Sequence, residues 1–92
     1  MHTSKADIDA IKAEIAAQLK YDPRNPPVHV DDKQAAEVLG VKVSTLSVWR
    51  STGRYRLPFM KMGRLVRYRV SDLAAFMASR TSEHTGVVAG YE

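Results

Sequence analysis

The stretch "DDKQAAEVLGVKVSTLSVWRSTG", from Asp31 to Gly53, carries the signals of two short helices in succession. Asp31 is a favourable N-cap residue, and Gln34 follows it at the spacing of a capping box. Gly40 suits the left-handed conformation that ends many helices. A second helix is expected to start at Ser44 and to stop at Gly53. Two short helices joined by a tight turn that contains glycine are typical of a helix-turn-helix.

The second of these helices has one apolar face and one face of small side chains. Trp49 is the only tryptophan, and with Leu46 it is predicted to anchor the core. At about 100° per residue, Ser47 and Ser51 point away from Trp49. Such a face fits into a DNA major groove, where hydroxyls and a valine methyl contact base edges or phosphates. The candidates for DNA contact on this helix are Lys42, Ser44, Thr45, Ser47, Val48, Arg50 and Ser51.

A β-hairpin is predicted after the second helix, with strands over Leu57–Lys61 and Leu65–Val70 and a turn at Met62-Gly63. The second strand alternates, so one face carries Val66, Tyr68 and Val70, and the other carries Leu65, Arg67 and Arg69. A hairpin docked through its apolar face presents arginines to solvent, as a wing beside the second helix does.

The wing suits DNA because narrow minor grooves concentrate negative potential and attract arginine. The candidates for DNA contact on the wing and its flanks are Arg54, Arg56, Lys61, Gly63, Arg64 and Arg67. A closing helix is predicted to follow, with Ser71 and Asp72 as its cap.

Positive charge is concentrated in the middle of the 92-residue chain. Residues 42–80 hold nine Lys/Arg and one acid, whereas residues 1–41 hold five Lys/Arg and seven Asp/Glu. This asymmetry indicates a polyanionic partner, although a solvated basic face is the alternative.

The chain is expected to divide into an N-terminal amphipathic helix (1–20), a proline-rich linker (21–29), a DNA-binding domain (30–80) and a flexible tail (81–92). In the first segment, a cap at Ser4 and Asp7 precedes an apolar stripe at helical spacing. The stripe packs either on its own domain or on another copy of the chain, and it is the candidate for self-association. Its members are Ile8, Ile11, Ile15 and Leu19.

Several classes of function are disfavoured by the sequence. There is no cysteine, which excludes a disulfide framework and a cysteine zinc site. The three histidines are scattered, and no glycine-rich phosphate loop is visible. We therefore expect no catalytic residues, no metal and no cofactor. No apolar run approaches a membrane span, and the N-terminus does not resemble a signal peptide, so the expected location is the cytoplasm, with the nucleoid.

The segments "AAEVLGV", "STLSVWRSTG", "LP" and "MGRLVRYRVSDLAAFM" resemble the winged helix-turn-helix of phage excisionases and AlpA-type regulators, which are small relatives of MerR DNA-binding domains. The resemblance covers roughly residues 30–80, and the N-terminal helix lies outside it. The matching positions are Ala35, Ala36, Leu39, Gly40, Val41, Thr45, Leu46, Trp49, Gly53, Pro58, Gly63, Tyr68, Asp72, Leu73 and Phe76.

The resemblance implies a mainly α fold with a small β-hairpin. It also implies that a recognition helix, Ser44 to Ser51, enters the major groove while the wing contacts the minor groove or the backbone. The implied function is that of an excisionase, an architectural DNA-binding protein that occupies adjacent sites, associates with itself on double-stranded DNA and biases a tyrosine or serine integrase towards excision.

Two other functions stay open from the sequence. An AlpA-like transcription regulator would need the same DNA-binding surface. A protein-interaction module whose basic face meets an acidic partner is the alternative from another class.

Overall fold

The computed structural model describes residues 5–83 of the chain, with side chains described for residues 5–80. Within that range, four helices and a small three-stranded antiparallel sheet make up the chain, which confirms the predicted winged helix-turn-helix fold. In chain order the elements are α1 (Lys5–Gln18), β1 (His29–Asp31), α2 (Asp32–Leu39), α3 (Val43–Thr52), a 3₁₀ turn (Arg54–Arg56), β2 (Met60–Met62), β3 (Leu65–Arg69) and α4 (Val70–Glu83).

The capping residues predicted for α2 are confirmed. The Asp31 carboxylate accepts a hydrogen bond from the backbone N–H of Gln34 at 2.7 Å, and the Gln34 side chain accepts one from the backbone N–H of Asp31 at 3.1 Å. Gly40 ends the helix with a φ of 71°. These contacts satisfy backbone groups that a short helix leaves without partners at its ends.

Helix α3 begins at Val43, one residue before the predicted cap at Ser44. Lys42 occupies the N-cap position in an extended conformation and makes no capping bond with its side chain. Its carbonyl already accepts hydrogen bonds from Thr45 and Leu46. Ser44 therefore lies inside the first turn, and the prediction that it caps the helix is wrong.

The sheet has the order β1-β3-β2, so the predicted second strand of the hairpin lies at its centre. Strand β2 is shorter than predicted and starts at Met60. Met62 pairs with Leu65 across a two-residue loop. Gly63 takes the first loop position with a φ of 62°, as a type II′ turn requires. On the other edge, β1 pairs with β3, a contact that the sequence pattern did not reveal.

The core lies between the inner face of β3 and the helices. The predicted alternation is confirmed, because Tyr68 is 1% exposed and Val70 is fully buried, while Val66 packs against the same cluster. Leu46 and Leu73 are also fully buried. The side chains most completely enclosed also include Ile15 and Val30.

Trp49 lies at the margin of this core rather than at its centre. Its indole is half-buried and packs on the Tyr55 ring, at 4.8 Å between ring centroids, and on Phe76 at 6.2 Å. The prediction that Trp49 anchors the core is therefore corrected: Leu46, on the neighbouring turn, fills the interior position.

Helix α1 packs mainly against α4. Ile15 is 1% exposed, and the rest of the apolar stripe (Ile8, Ile11 and Leu19) is partly buried against the same core. The Gln18 side chain also donates a hydrogen bond to the carbonyl of Glu37 at 3.1 Å. Of the two alternatives for the stripe, the structure shows packing within the chain.

Helix α4 starts at Val70, directly after β3, instead of at the predicted Ser71-Asp72 cap. Asp72 lies in its first turn, where a negative charge favours the helix N-terminus. The helix continues to Glu83, so the first three residues of the predicted tail are helical. The remainder of the tail, and the predicted Ser4 cap, lie outside the described residues. None of the described helices is long and apolar enough to span a membrane.

Replacing Ile15 by Ala tests whether α1 belongs to the core. The side chain is fully enclosed, so Ile15→Ala should lower the free energy of unfolding by about 2–5 kcal/mol. Urea denaturation followed by circular dichroism measures the change. The exposed neighbour Glu14 provides a matched control, since Glu14→Ala should change stability little. Equal stability of the Ile15 variant and the wild type would show that α1 is not part of the folded core.

Candidate nucleic-acid interface

The outward face of α3 is exposed along the length of the helix. Ser44, Ser47, Val48 and Ser51 are exposed, whereas Leu46 on the opposite side is fully buried. Thr45 lies at the boundary and is partly buried. The helix therefore presents the small side chains that the sequence assigned to the outward face.

Two hydroxyls near the end of α3 are engaged with their own helix. The Ser51 hydroxyl donates to the carbonyl of Val48 at 3.1 Å, and the Thr52 hydroxyl donates to the same carbonyl at 2.8 Å. Such bonds fix the hydroxyl proton and leave the oxygen as an acceptor. In this state Ser51 can accept a hydrogen bond from a base amino group but does not donate to a phosphate.

Arg50, which the sequence suggested as a base or phosphate contact, has a different position. Its Nη1 atom donates to the carboxylate of Asp32 at 2.7 Å and to the hydroxyl of Tyr68 at 2.9 Å. The side chains of Arg50 and Asp32 are only 18% and 25% exposed. The guanidinium thus ties α3 to the start of α2 and to the central strand. We name these three residues the Arg50 clamp, in which the guanidinium that the sequence suggested for DNA contact is engaged within the protein.

The protonation states of the clamp favour this arrangement. Burial raises the pKa of the Tyr68 hydroxyl, and the nearby guanidinium opposes that rise only in part. Burial by itself lowers the pKa of Arg50, but its hydrogen bonds to Tyr68 and Asp32 outweigh that effect and raise it overall. Near neutral pH, Tyr68 is therefore a neutral phenol and Arg50 a cation.

The wing carries exposed cations at its tip. Lys61, Gly63 and Arg64 are all exposed. Lys61 pairs with Val66 and therefore lies on the opposite face of the hairpin from Arg67, which pairs with Met60. Arg67 is partly buried, and its guanidinium donates to the carbonyl of Val66 at 3.1 Å. Arg64 in the turn is the wing arginine best placed to reach a ligand.

A cleft of about 350 Å³ separates the end of α3 from the segment that enters β2. Arg54 and Arg56 line it, together with Phe59, whose ring lies 5.9 Å from the Arg50 guanidinium carbon. The backbone here is unusual because Tyr55 and Arg56 have φ values of 65° and 54°. Left-handed residues other than glycine are strained, so packing must hold this turn in place.

Packing around Tyr55 supplies that support. Its ring contacts Trp49, lies 5.0 Å from the Arg54 guanidinium carbon, and lies 4.8 Å from that of Arg80. The connection between Gly53 and Pro58 is thus folded into a cluster of aromatic and cationic side chains, and Arg56 within it is exposed to solvent.

Most of the candidate functional residues that the sequence predicts lie on α3, along the cleft or on the hairpin. The Arg50 clamp joins α3 to β3, the second strand of the hairpin, and the arginines of the cleft follow α3 directly along the chain. The apolar stripe of α1 lies in the core instead. Sequence reasoning missed Asp32, because nothing in a capping segment reveals a partner 18 residues along the chain. Among the described residues, no group of His, Cys, Asp or Glu is placed to hold a metal ion.

Comparison with known proteins assigns the class. The model of the helix-turn-helix domain family matches residues 31–81, more than half of the chain, so the chain belongs to this family. The matched range begins at the cap of α2 and ends within α4. No curated protein and no solved structure matches the chain significantly. The domain is therefore a helix-turn-helix module for sequence-specific binding of double-stranded DNA.

Removal of the clamp cation should weaken the fold. Arg50→Ala leaves the Asp32 carboxylate partly buried without its partner, so we expect a loss of about 1–3 kcal/mol in the free energy of unfolding. The double variant Arg50→Ala/Asp32→Ala should lose less than the sum of the two single losses. Urea denaturation of the four proteins completes the cycle, and strictly additive losses would contradict the clamp.

Removal of the turn cation should weaken DNA binding without affecting the fold. Arg64→Ala is expected to reduce affinity by about 1–3 kcal/mol if the guanidinium reaches a base. If it reaches a phosphate, the slope of log K against log salt should fall by about 0.9. Fluorescence anisotropy over a salt series measures both effects. Arg24, exposed and remote in sequence from α3 and the wing, is the control, and an Arg64 variant that binds as the Arg24→Ala variant does would exclude the turn from the interface.

Proposed function

We propose that this protein is an architectural DNA-binding protein of the excisionase type. It binds adjacent sites cooperatively and biases a site-specific recombinase, a tyrosine or serine integrase, towards excision. The observation that carries the proposal is the outward face of α3, on which four small side chains are exposed, together with the exposed cations of the hairpin. That combination suits a short helix that enters a major groove while a wing follows the adjacent backbone.

The residues proposed to contact DNA fall into two groups. On α3 and its start they are Lys42, Ser44, Thr45, Ser47, Val48 and Ser51. On the wing and its flanks they are Arg54, Arg56, Lys61, Gly63, Arg64 and Arg67. Arg50 acts behind them, because its hydrogen bonds fix the angle between α3 and the strands.

The small size of the module supports binding to several adjacent sites. A single module of this kind buries only about 600–1,000 Å² on DNA, so one copy binds weakly. Neighbouring copies that touch each other add affinity through effective concentration. Ile15 is fully enclosed within its own chain and is not available for that contact, whereas Ile8, Ile11 and Leu19 are only partly buried.

Charge supports a nucleic acid as the partner. Nine of the fourteen Lys/Arg residues lie in residues 42–80 with a single acid. A field of this sign steers the protein to DNA and makes binding depend on salt. We accordingly place the protein in the cytoplasm, on the nucleoid. A module for acidic proteins would share the charge but would not need an exposed helix face of small side chains.

Footprinting on DNA that flanks the protein's own gene tests the proposal. We expect extended protection with a repeat near one helical turn, and occupancy that rises more steeply with concentration than a single site allows. An excision assay with the cognate integrase should then show that the protein increases excision.

The other outcomes separate the alternatives. Protection confined to one isolated site contradicts the architectural role. Sites at a promoter with no effect on excision would identify an AlpA-like transcription regulator. Absence of any salt-dependent DNA binding, together with binding to an acidic protein, would identify an interaction module.

A further inference from the structure

The tip of the wing exposes two large apolar side chains side by side. Met62 is 50% exposed and Leu65 is 53% exposed. They are direct partners in the register of β2 and β3, so both project from the same face of the hairpin. Apolar side chains scattered singly on a surface are ordinary, but this pair is contiguous and lies at a projecting turn.

The surroundings of the pair are cationic. Arg64 lies between the two residues in the loop, and Lys61 precedes Met62 on the opposite face. Behind the pair on its own face, Arg67 lies opposite Met60. The tip of the wing is therefore a small apolar surface flanked by positively charged side chains.

We propose that the side chains of Met62 and Leu65 form a wedge that enters a base step from the minor groove of DNA. The proposal rests on the DNA binding described above and assigns the wing a second task. Leu and Met are among the side chains that proteins insert between base pairs, which unstack the step and kink the duplex by about 20–90°. Arg64 and Lys61 would neutralise the phosphates on either side of the step.

Size and charge favour DNA over a second copy of the chain as the occupant. A standard protein interface buries about 800 Å² on each partner, far more than two half-exposed side chains offer. A second copy would also bring the same cations to the contact, where like charges repel. A base step accepts one or two apolar side chains and supplies the negative charge that their neighbours require.

Such a wedge would give a small module a way to bend DNA. A helix in the major groove alone leaves the duplex free to stay straight. Insertion at the tip of a two-residue turn concentrates the deformation at one step, and flexible pyrimidine–purine steps resist this least. The wedge therefore also predicts a sequence preference where the protein makes no hydrogen bond to a base.

The test uses the full chain and duplexes that carry a single site, with 2-aminopurine placed in turn at each step of the flank that faces the wing. The wild type should raise 2-aminopurine fluorescence several-fold at one step, and energy transfer between dyes on the duplex ends should report a bend. The double variant Met62→Ser/Leu65→Ser should lose most of both signals, while its salt slope stays that of the wild type because the phosphate contacts remain.

Controls separate the wedge from loss of fold and from loss of DNA binding. Val28, 76% exposed and outside the hairpin, gives the matched variant Val28→Ser, which should keep both signals. Thermal melting should show that the double variant is folded, since neither side chain lies in the core. Wild-type binding with every step stacked would overturn the wedge and leave DNA binding intact. Absence of DNA binding would overturn both.

A third pattern would also reject the wedge. If the double variant unstacks the single site as the wild type does but loses cooperativity on adjacent sites, the apolar pair is a contact between copies.

Discussion

The geometry of the DNA-binding surface depends on one guanidinium. Arg50 leaves α3 on its inner side and donates to Asp32 and Tyr68, which belong to two other elements. A short helix has few contacts of its own to hold it, and the outward side of α3 must stay free. The clamp supplies a directional constraint where apolar packing through Leu46 gives burial without a fixed rotation.

The clamp also explains why the ring and the hydroxyl of Tyr68 lie in different environments. Its ring is enclosed in the core, whereas its hydroxyl is bonded to the guanidinium. The strand that carries Tyr68 is central in the sheet, so the clamp reaches both the wing and β1. Rotation of α3 would break a partly buried ion pair and a hydrogen bond, and a partly buried carboxylate without its partner is unfavourable. The clamp therefore opposes rotation of α3 relative to the strand that carries the wing.

Local signals made much of the fold predictable. The Asp31–Gln34 box, Gly40 and Gly53 act over four residues or fewer, and the alternation around Tyr68 needs only the period of a strand. The sequence predicts the start of α3 incorrectly, because Lys42 occupies the N-cap position without a capping bond from its side chain. The type of residue at this position therefore gives no signal for a cap. The sequence does not predict the pairing of β1 with β3, because the alternation of side chains in a strand of three residues is too short to identify the partner strand.

The candidate site was predictable in its position but not in the role of each residue. Helical spacing predicts that Ser47 faces outward and that Leu46 is buried. It places Arg50 between these two faces, where the guanidinium can extend either into solvent or towards the protein. The choice depends on Asp32, which the tertiary fold brings within 2.7 Å. Trp49 shows the same limit, since its neighbour Tyr55 reaches it only through an unusual left-handed turn.

The most direct test of the central claim is a two-dimensional NMR titration of the isotope-labelled protein with a short duplex from its own site. The account predicts that backbone amide signals of Ser44 to Ser51 and of Gly63 and Arg64 shift together along one binding curve, while signals from the exposed side of α1, such as Asp9 and Glu14, stay in place. Shifts concentrated on α1, with α3 and the wing unaffected, would contradict it.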